Sequence, residues 1–176
     1  MSLTRDQELE LALLLRKMTL PTQTQELFEA WCYSQITNPV ELAILRRRGK
    51  EMQIFLIYRK DKFYDGWHMP GSIILPGKTV FQTIENLKIR EVPTIAPPFF
   101  FVGYAEIPRG EGERENVRGQ ALSLIYACYD SCGAVQDSEN ERFFPLYDLP
   151  SNILGSHKVL IGEEIIPWIQ STKHIA

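Results

Sequence analysis

The stretch from Trp67 to Pro93, WHMPGSIILPGKTVFQTIENLKIREVP, leaves the chain little choice of local structure: a strand end, a glycine-bearing loop and one helix. Gly71 and Gly77 bracket the loop, and a residue without Cβ lets backbone come close to a ligand. Thr79 with Gln82 makes a capping box, in which the threonine oxygen accepts from an orphan N–H of the first turn and the glutamine reaches back. A helix therefore starts there. Pro93 stops it, since proline cannot continue the hydrogen-bond ladder. Val80, Ile84 and Leu87 recur at helical spacing and face a core, while Lys88, Arg90 and Glu91 lie on or beside the opposite flank.

A chain of 176 residues is most simply one domain, long enough to bury a sizeable core without staples. Hydrophobic residues at 44% and charged ones at 23% place it with soluble globular proteins. The net charge of −3 gives no general pull toward nucleic acid or an anionic membrane, so a nucleic-acid partner is the least favoured class. Three cysteines without a CxxC pair argue against a disulfide framework or a zinc site and read as small buried thiols. Acids come early, no basic flank precedes the leucines, and no apolar run approaches about 18 residues. A membrane partner is not expected, and the cytoplasm is the default location.

Ahead of the central unit, Thr4 with Gln7 is a second capping box, followed by a helix whose residues Leu9 to Leu15 and Met18 are apolar over much of its surface. Such a helix has to be covered, by its own domain or by a second copy in a homodimer. A further helix is expected over Thr22 to Tyr33, with Leu27, Phe28, Trp31 and Cys32 on one face. Asn38-Pro39 marks a turn and the start of the main domain. Val40 to Leu45 and Met52 to Tyr58 read as a hairpin joined by Arg46-Arg47-Arg48-Gly49-Lys50, a solvated turn or a phosphate patch. Arg59 ends the second strand and suits either a phosphate or a surface ion pair. Phe63, Tyr64 and Trp67 follow, for core packing or for stacking on a base or sugar.

Beyond the central helix, Phe99 to Ile107 and Ala121 to Tyr129 read as strands, joined by a glycine- and charge-rich loop from Pro108 to Arg118. A polar turn then carries Asp137, Glu139 and Glu141, and a last helix holds Leu160, Ile161, Ile165 and Ile169, with Pro167 limiting or kinking it. His157 near its start reads as a capping or surface residue.

The central stretch resembles the Nudix family, whose box is a glycine, five residues, a glutamate, seven residues, then Arg-Glu-apolar-x-Glu-Glu-x-Gly. Trp67, Pro70 and Gly71 look like the family's Trp-x-x-Pro-Gly lead-in, and Gly77 like the glycine before the first glutamate. Ungapped, the box glycine falls on Ser72, the first glutamate on Lys78, the arginine on Asn86, and the three metal-site glutamates on Leu87, Arg90 and Glu91. One of those glutamates survives. Sliding by a turn to read Arg90-Glu91-Val92 as Arg-Glu-apolar fails, because Pro93-Thr94-Ile95 brings no further acids. The GDP-mannose glycosyl hydrolases of the family likewise carry a leucine at the position of Leu87, but they keep the early acid that is Lys78 here.

The resemblance implies an α+β fold over roughly Val40 to Trp168, an α/β/α sandwich with a mixed, curved sheet. It would follow an N-terminal helical extension, giving residues 1–38 and 39–176 as the two parts. The implied activity is Mg²⁺- or Mn²⁺-assisted hydrolysis of a nucleoside diphosphate linked to another group, such as a nucleotide sugar. Glu91 and the Gly71 carbonyl would then hold the metal, Glu139 or Glu141 would be the base, and Arg59 and Trp67 would meet the substrate. Charge points to a competing reading. Lys78 and Arg90 put cations where the family has acids, so the chain would instead bind a nucleotide diphosphate, or a protein partner, without hydrolysis.

Overall fold

The computed structural model describes residues 3–20, 22, 24–61, 64–108 and 119–172. The loop expected from Pro108 to Arg118 falls, apart from Pro108, outside the described residues, as does Phe63. Two helices come first, α1 Arg5–Lys17 and α2 Gln25–Ser34, each opened by the threonine that its sequence offers, Thr4 and Thr24. Seven strands follow: β1 Pro39–Arg48, β2 Glu51–Lys60, β3 Asp65–His68, β4 Gly71–Ile73, β5 Phe100–Ile107, β6 Ala121–Tyr129 and β7 Glu141–Pro145. Helix α3, Val80–Glu91, lies between β4 and β5, and the chain closes with α4 Gly155–Leu160, a π-helical turn Ile161–Ile165 and α5 Ile166–Ser171.

The fold is α+β with one mixed sheet. β1 pairs antiparallel with β2 only over Leu45–Arg48 and Glu51–Ile54; the two then part, and β3 continues along β2 while β4 continues along β1. On its other edge β1 runs parallel to β6, which pairs antiparallel with β5, and β7 closes the free edge of β2. Val40 to Leu45 are buried throughout, as a central strand covered on both faces requires. Alternate residues divide between two clusters. Leu42, Ile44 and Phe55 pack with Leu87 of α3, whereas Ala43, Leu45, Ile54 and Leu56 pack with Leu160, Ile161 and Ile165. Helices thus cover both faces.

Pro167 neither ends the last helix nor leaves it regular. The amide of Ile166 bonds back to the Ile161 carbonyl, five residues earlier, so a wider turn precedes the proline and absorbs its missing donor.

The basic run is corrected. The strands reach Arg48 and restart at Glu51, leaving only Gly49 and Lys50 in the turn, with Gly49 at φ 63° where a side chain would be strained. Arg46 therefore stands on the strand and points into the protein. Its Nε and Nη2 donate to Asp130 Oδ2 at 3.1 and 2.6 Å, Nη2 also donates to the Val135 carbonyl, and the guanidinium lies 3.7 Å from the Phe143 ring centre. Asp130 in turn accepts from the Ala134 amide at 2.8 Å. One ion pair ties β1 to the segment after β6.

Cys32 and Cys128 are buried and Cys132 is exposed, so the expectation of buried thiols fails for the third. Burial, with Asp130 beside it, pushes the Cys128 thiol up to about 12, which keeps it protonated and inert. Helix α1 buries none of its residues among the described chain, contrary to cover from its own domain. No helix in the described residues is long and apolar enough to cross a membrane.

Candidate functional site

The loop and helix that the sequence marks are the core of the site. Gly77, at φ 78°, makes the turn from β4, and the Lys78 amide closes it on the Leu75 carbonyl at 3.0 Å. Both halves of the Thr79–Gln82 capping box are made, at 3.2 and 3.0 Å. Thr83, Ile84 and Leu87 then form the buried stripe of α3, and Phe81 and Ile89 remain exposed. This packing fixes the last turn against the start of β4.

There Arg90, Glu91 and Gly71 come together. Arg90 Nη2 donates to the Gly71 carbonyl oxygen at 3.3 Å and to Glu91 Oε1 at 2.6 Å, and Arg90 Nε donates to the same Oε1 at 2.9 Å. Glu91 Oε2 is buried and has no hydrogen-bond partner among the described residues. A second acid, Glu41, sits opposite Gly71 in the β1–β4 ladder, and a Cβ on Gly71 would fall 2.2 Å from Glu41 Oε2. Glycine is what lets the carboxylate close over the strand. Glu41 escaped the sequence reading, although one acid inside the apolar run Val40 to Leu45 was a legible signal.

The Nudix resemblance implies a divalent ion held by Glu91 and the Gly71 carbonyl. The geometry does not fit it: a guanidinium already bridges those two oxygens, and a hard cation needing six or more oxygens would have to displace it. Among the described residues no group of three or more His, Cys, Asp or Glu side chains is placed to hold a metal ion.

The other sequence candidates lie elsewhere. Glu141 is the first residue of β7 and shares a rung with Ile57 and His68, on the face that α3 covers; Glu139 is exposed in the turn before it. Arg59 pairs with Asp61 at 2.6 Å and lies over Tyr64, the surface ion pair rather than a bare phosphate site. Trp67 is packed between Tyr58 and Phe144, at ring separations of 5.4 and 4.8 Å, which is core packing and not a stacking platform. His157 accepts from the Met69 amide through Nδ1 at 3.3 Å, a structural role next to Pro70 and Gly71.

Lys78 and Arg90 do not form one clamp. Lys78 precedes α3 and Arg90 lies in its last turn, so the 12-residue helix holds them about 18 Å apart along its axis. Lys78 instead lines a cavity of about 390 Å³ between the end of α2 and the loop before α3, with Trp31, Asn38, Ile74, Gly77 and Leu124 among its walls.

The splayed β1–β2 pair, the β3–β4 insertion and the loop-to-α3 unit define a known architecture. No family model and no curated protein matches the chain. Solved structures do. The NUDIX domain of Shewanella oneidensis NrtR complexed with ADP ribose aligns with a TM-score of 0.56 at 16% identity, covering 80% of this chain and 96% of that one. The C-terminal domain of mouse MUTYH, in complex with human PCNA, aligns at 0.58 and 10% identity over 78% of this chain and 89% of that one. A MutT NUDIX hydrolase from Burkholderia pseudomallei aligns at 0.56 and 17% identity over 73% and 97%. The chain has the Nudix superfamily fold. Within that fold, a guanidinium contacts the two oxygens that the resemblance assigned to a metal.

Proposed function

We propose that this protein is a Nudix-fold module that binds a nucleotide-type diphosphate without hydrolysing it. The observation that carries the reading is Arg90, whose guanidinium bridges the Gly71 carbonyl and Glu91. A guanidinium supplies positive charge but cannot ligate a water and lower its pKa, so the metal-activated nucleophile has no place to form. Its charge is also largely spent on Glu91, with Glu41 close by, and a phosphate gains little there. The ligand seat that fits better is the cavity at Lys78, whose volume suits a small molecule. Trp31 and the apolar wall of Ile74 and Leu124 would take a planar ring, and the Lys78 ammonium a phosphate. That similar folds are found in complexes with ADP ribose and with a protein accords with a binding role.

The test is thermal unfolding of the chain with ADP-ribose, nucleotide sugars, dinucleotides and nucleoside triphosphates, each with and without Mg²⁺, with product formation followed in parallel. A ligand that binds only the folded state raises the midpoint. The expected result is a shift with at least one nucleotide that is indifferent to Mg²⁺, lost in Lys78→Glu, and no product. Mg²⁺-dependent turnover abolished by Glu91→Gln would replace this reading with the hydrolase, in which Glu139 or Glu141 serves as base. No shift with any nucleotide would overturn the small-ligand reading.

A further inference from the structure

We propose that the chain forms a homodimer through antiparallel pairing of α1 with α1 of a second copy, an inference independent of the ligand reading. No residue of α1 is buried: Leu9, Leu11, Leu13, Leu14 and Leu15 are 44–59% exposed. Five leucines on one exposed helix are far more apolar surface than a solvated helix carries, so an occupant is needed.

The helix itself says which. At about 100° per residue, Leu11, Leu14 and Leu15 fall at i, i+3 and i+4 and form one stripe, with Leu9 and Leu13 on the far side. Glu10 and Lys17, one heptad apart, border the stripe on the Leu14 side, and Glu8 borders it on the Leu15 side. A two-fold axis perpendicular to the helices and passing near Leu14 sets each flank against its own copy. Glu10 then meets Lys17 of the second chain, twice over. Parallel pairing would instead set the Glu10 flank against the flank of Glu8 and Leu15, and neither Glu10 nor Lys17 would gain an opposite charge there.

Sedimentation equilibrium of the full chain over a wide concentration range tests this. The expected result is a monomer–dimer equilibrium that Leu11→Glu/Leu14→Glu converts to monomer and the far-side Leu13→Glu leaves intact. Since no residue of α1 is buried among the described residues, these variants keep the monomer's unfolding midpoint close to that of wild type. Glu10→Lys raises the dimer Kd about tenfold, and adding Lys17→Glu restores it. A wild-type chain that stays monomeric overturns the proposal, as does a dimer that survives Leu11→Glu/Leu14→Glu. Failure of the double charge swap to restore affinity rules out the antiparallel register. A monomer that binds lipid vesicles through α1 would assign the stripe to a membrane surface instead, and the proposal would fall.

Discussion

Arg46→Ala is expected to destabilise the protein by about 3 kcal/mol, because it strips the cation from a carboxylate buried behind it. Asp130 is 2% exposed at its side chain, and the paired guanidinium also carries the Val135 carbonyl and covers the Phe143 ring. The value sits at the lower end for a broken buried pair, since Asp130 keeps its bond from the Ala134 amide and Arg46 is partly exposed. In a chain of this length it should lower the melting midpoint by about 6–12 °C. Arg46→Lys should fall between, keeping the charge but losing the fork and the stacked plane. Urea denaturation gives the number directly. A cost under about 0.5 kcal/mol, typical of an exposed side chain, would return Arg46 to the solvated turn that the sequence suggests.

Gly66→Ala is the second large effect, also about 3 kcal/mol, from overpacking against backbone that has no rotamer to change. A Cβ at Gly66 would lie 2.3 Å from the Asn152 carbonyl oxygen. That oxygen accepts from the Trp67 amide at 3.1 Å, and the Trp67 carbonyl takes the Leu154 amide at 2.9 Å, so both bonds must yield together. The displaced segment leads straight into α4, whose His157 holds the Met69 amide beside the site. The variant should therefore lose stability, while the nucleotide seat at Lys78, walled by other residues, is not directly touched. Unchanged midpoints in Gly66→Ala would mean that β3 and the strap over 152–154 are not packed as described.

Much of the architecture was legible because it rests on local rules. The Thr4 and Thr79 caps, the paired glycines and the apolar stripe of α3 need nothing beyond neighbours within a turn or two. Long-range partners were not legible. Arg46 looked like one of four cations on a turn, since its partner Asp130 lies 84 positions away and nothing in RRRGK distinguishes it. Trp67 carries the same ambiguity: only the fold decides that Tyr58 and Phe144 claim its faces. At the site, the sequence placed Arg90 and Glu91 beside Gly71 through the Nudix register, but it treated Lys78 as Arg90's companion. Helical rise alone separates them, and the cavity that receives Lys78 takes one wall, Trp31, from α2, an element outside the motif.

The central claim is that Arg90 occupies the cation position, and Mg²⁺ titration by calorimetry into the wild-type chain and into Arg90→Glu tests it most directly. The substitution removes the guanidinium and adds a carboxylate next to Glu91 and the Gly71 carbonyl, a set of hard oxygens suited to the ion. Arg90→Glu should bind Mg²⁺ at least tenfold more tightly than wild type, while Lys78→Glu, at the other end of α3, should leave the affinity unchanged. Wild-type protein that binds Mg²⁺ as tightly as Arg90→Glu, and loses that binding in Glu91→Gln, would contradict the account and return the site to a metal.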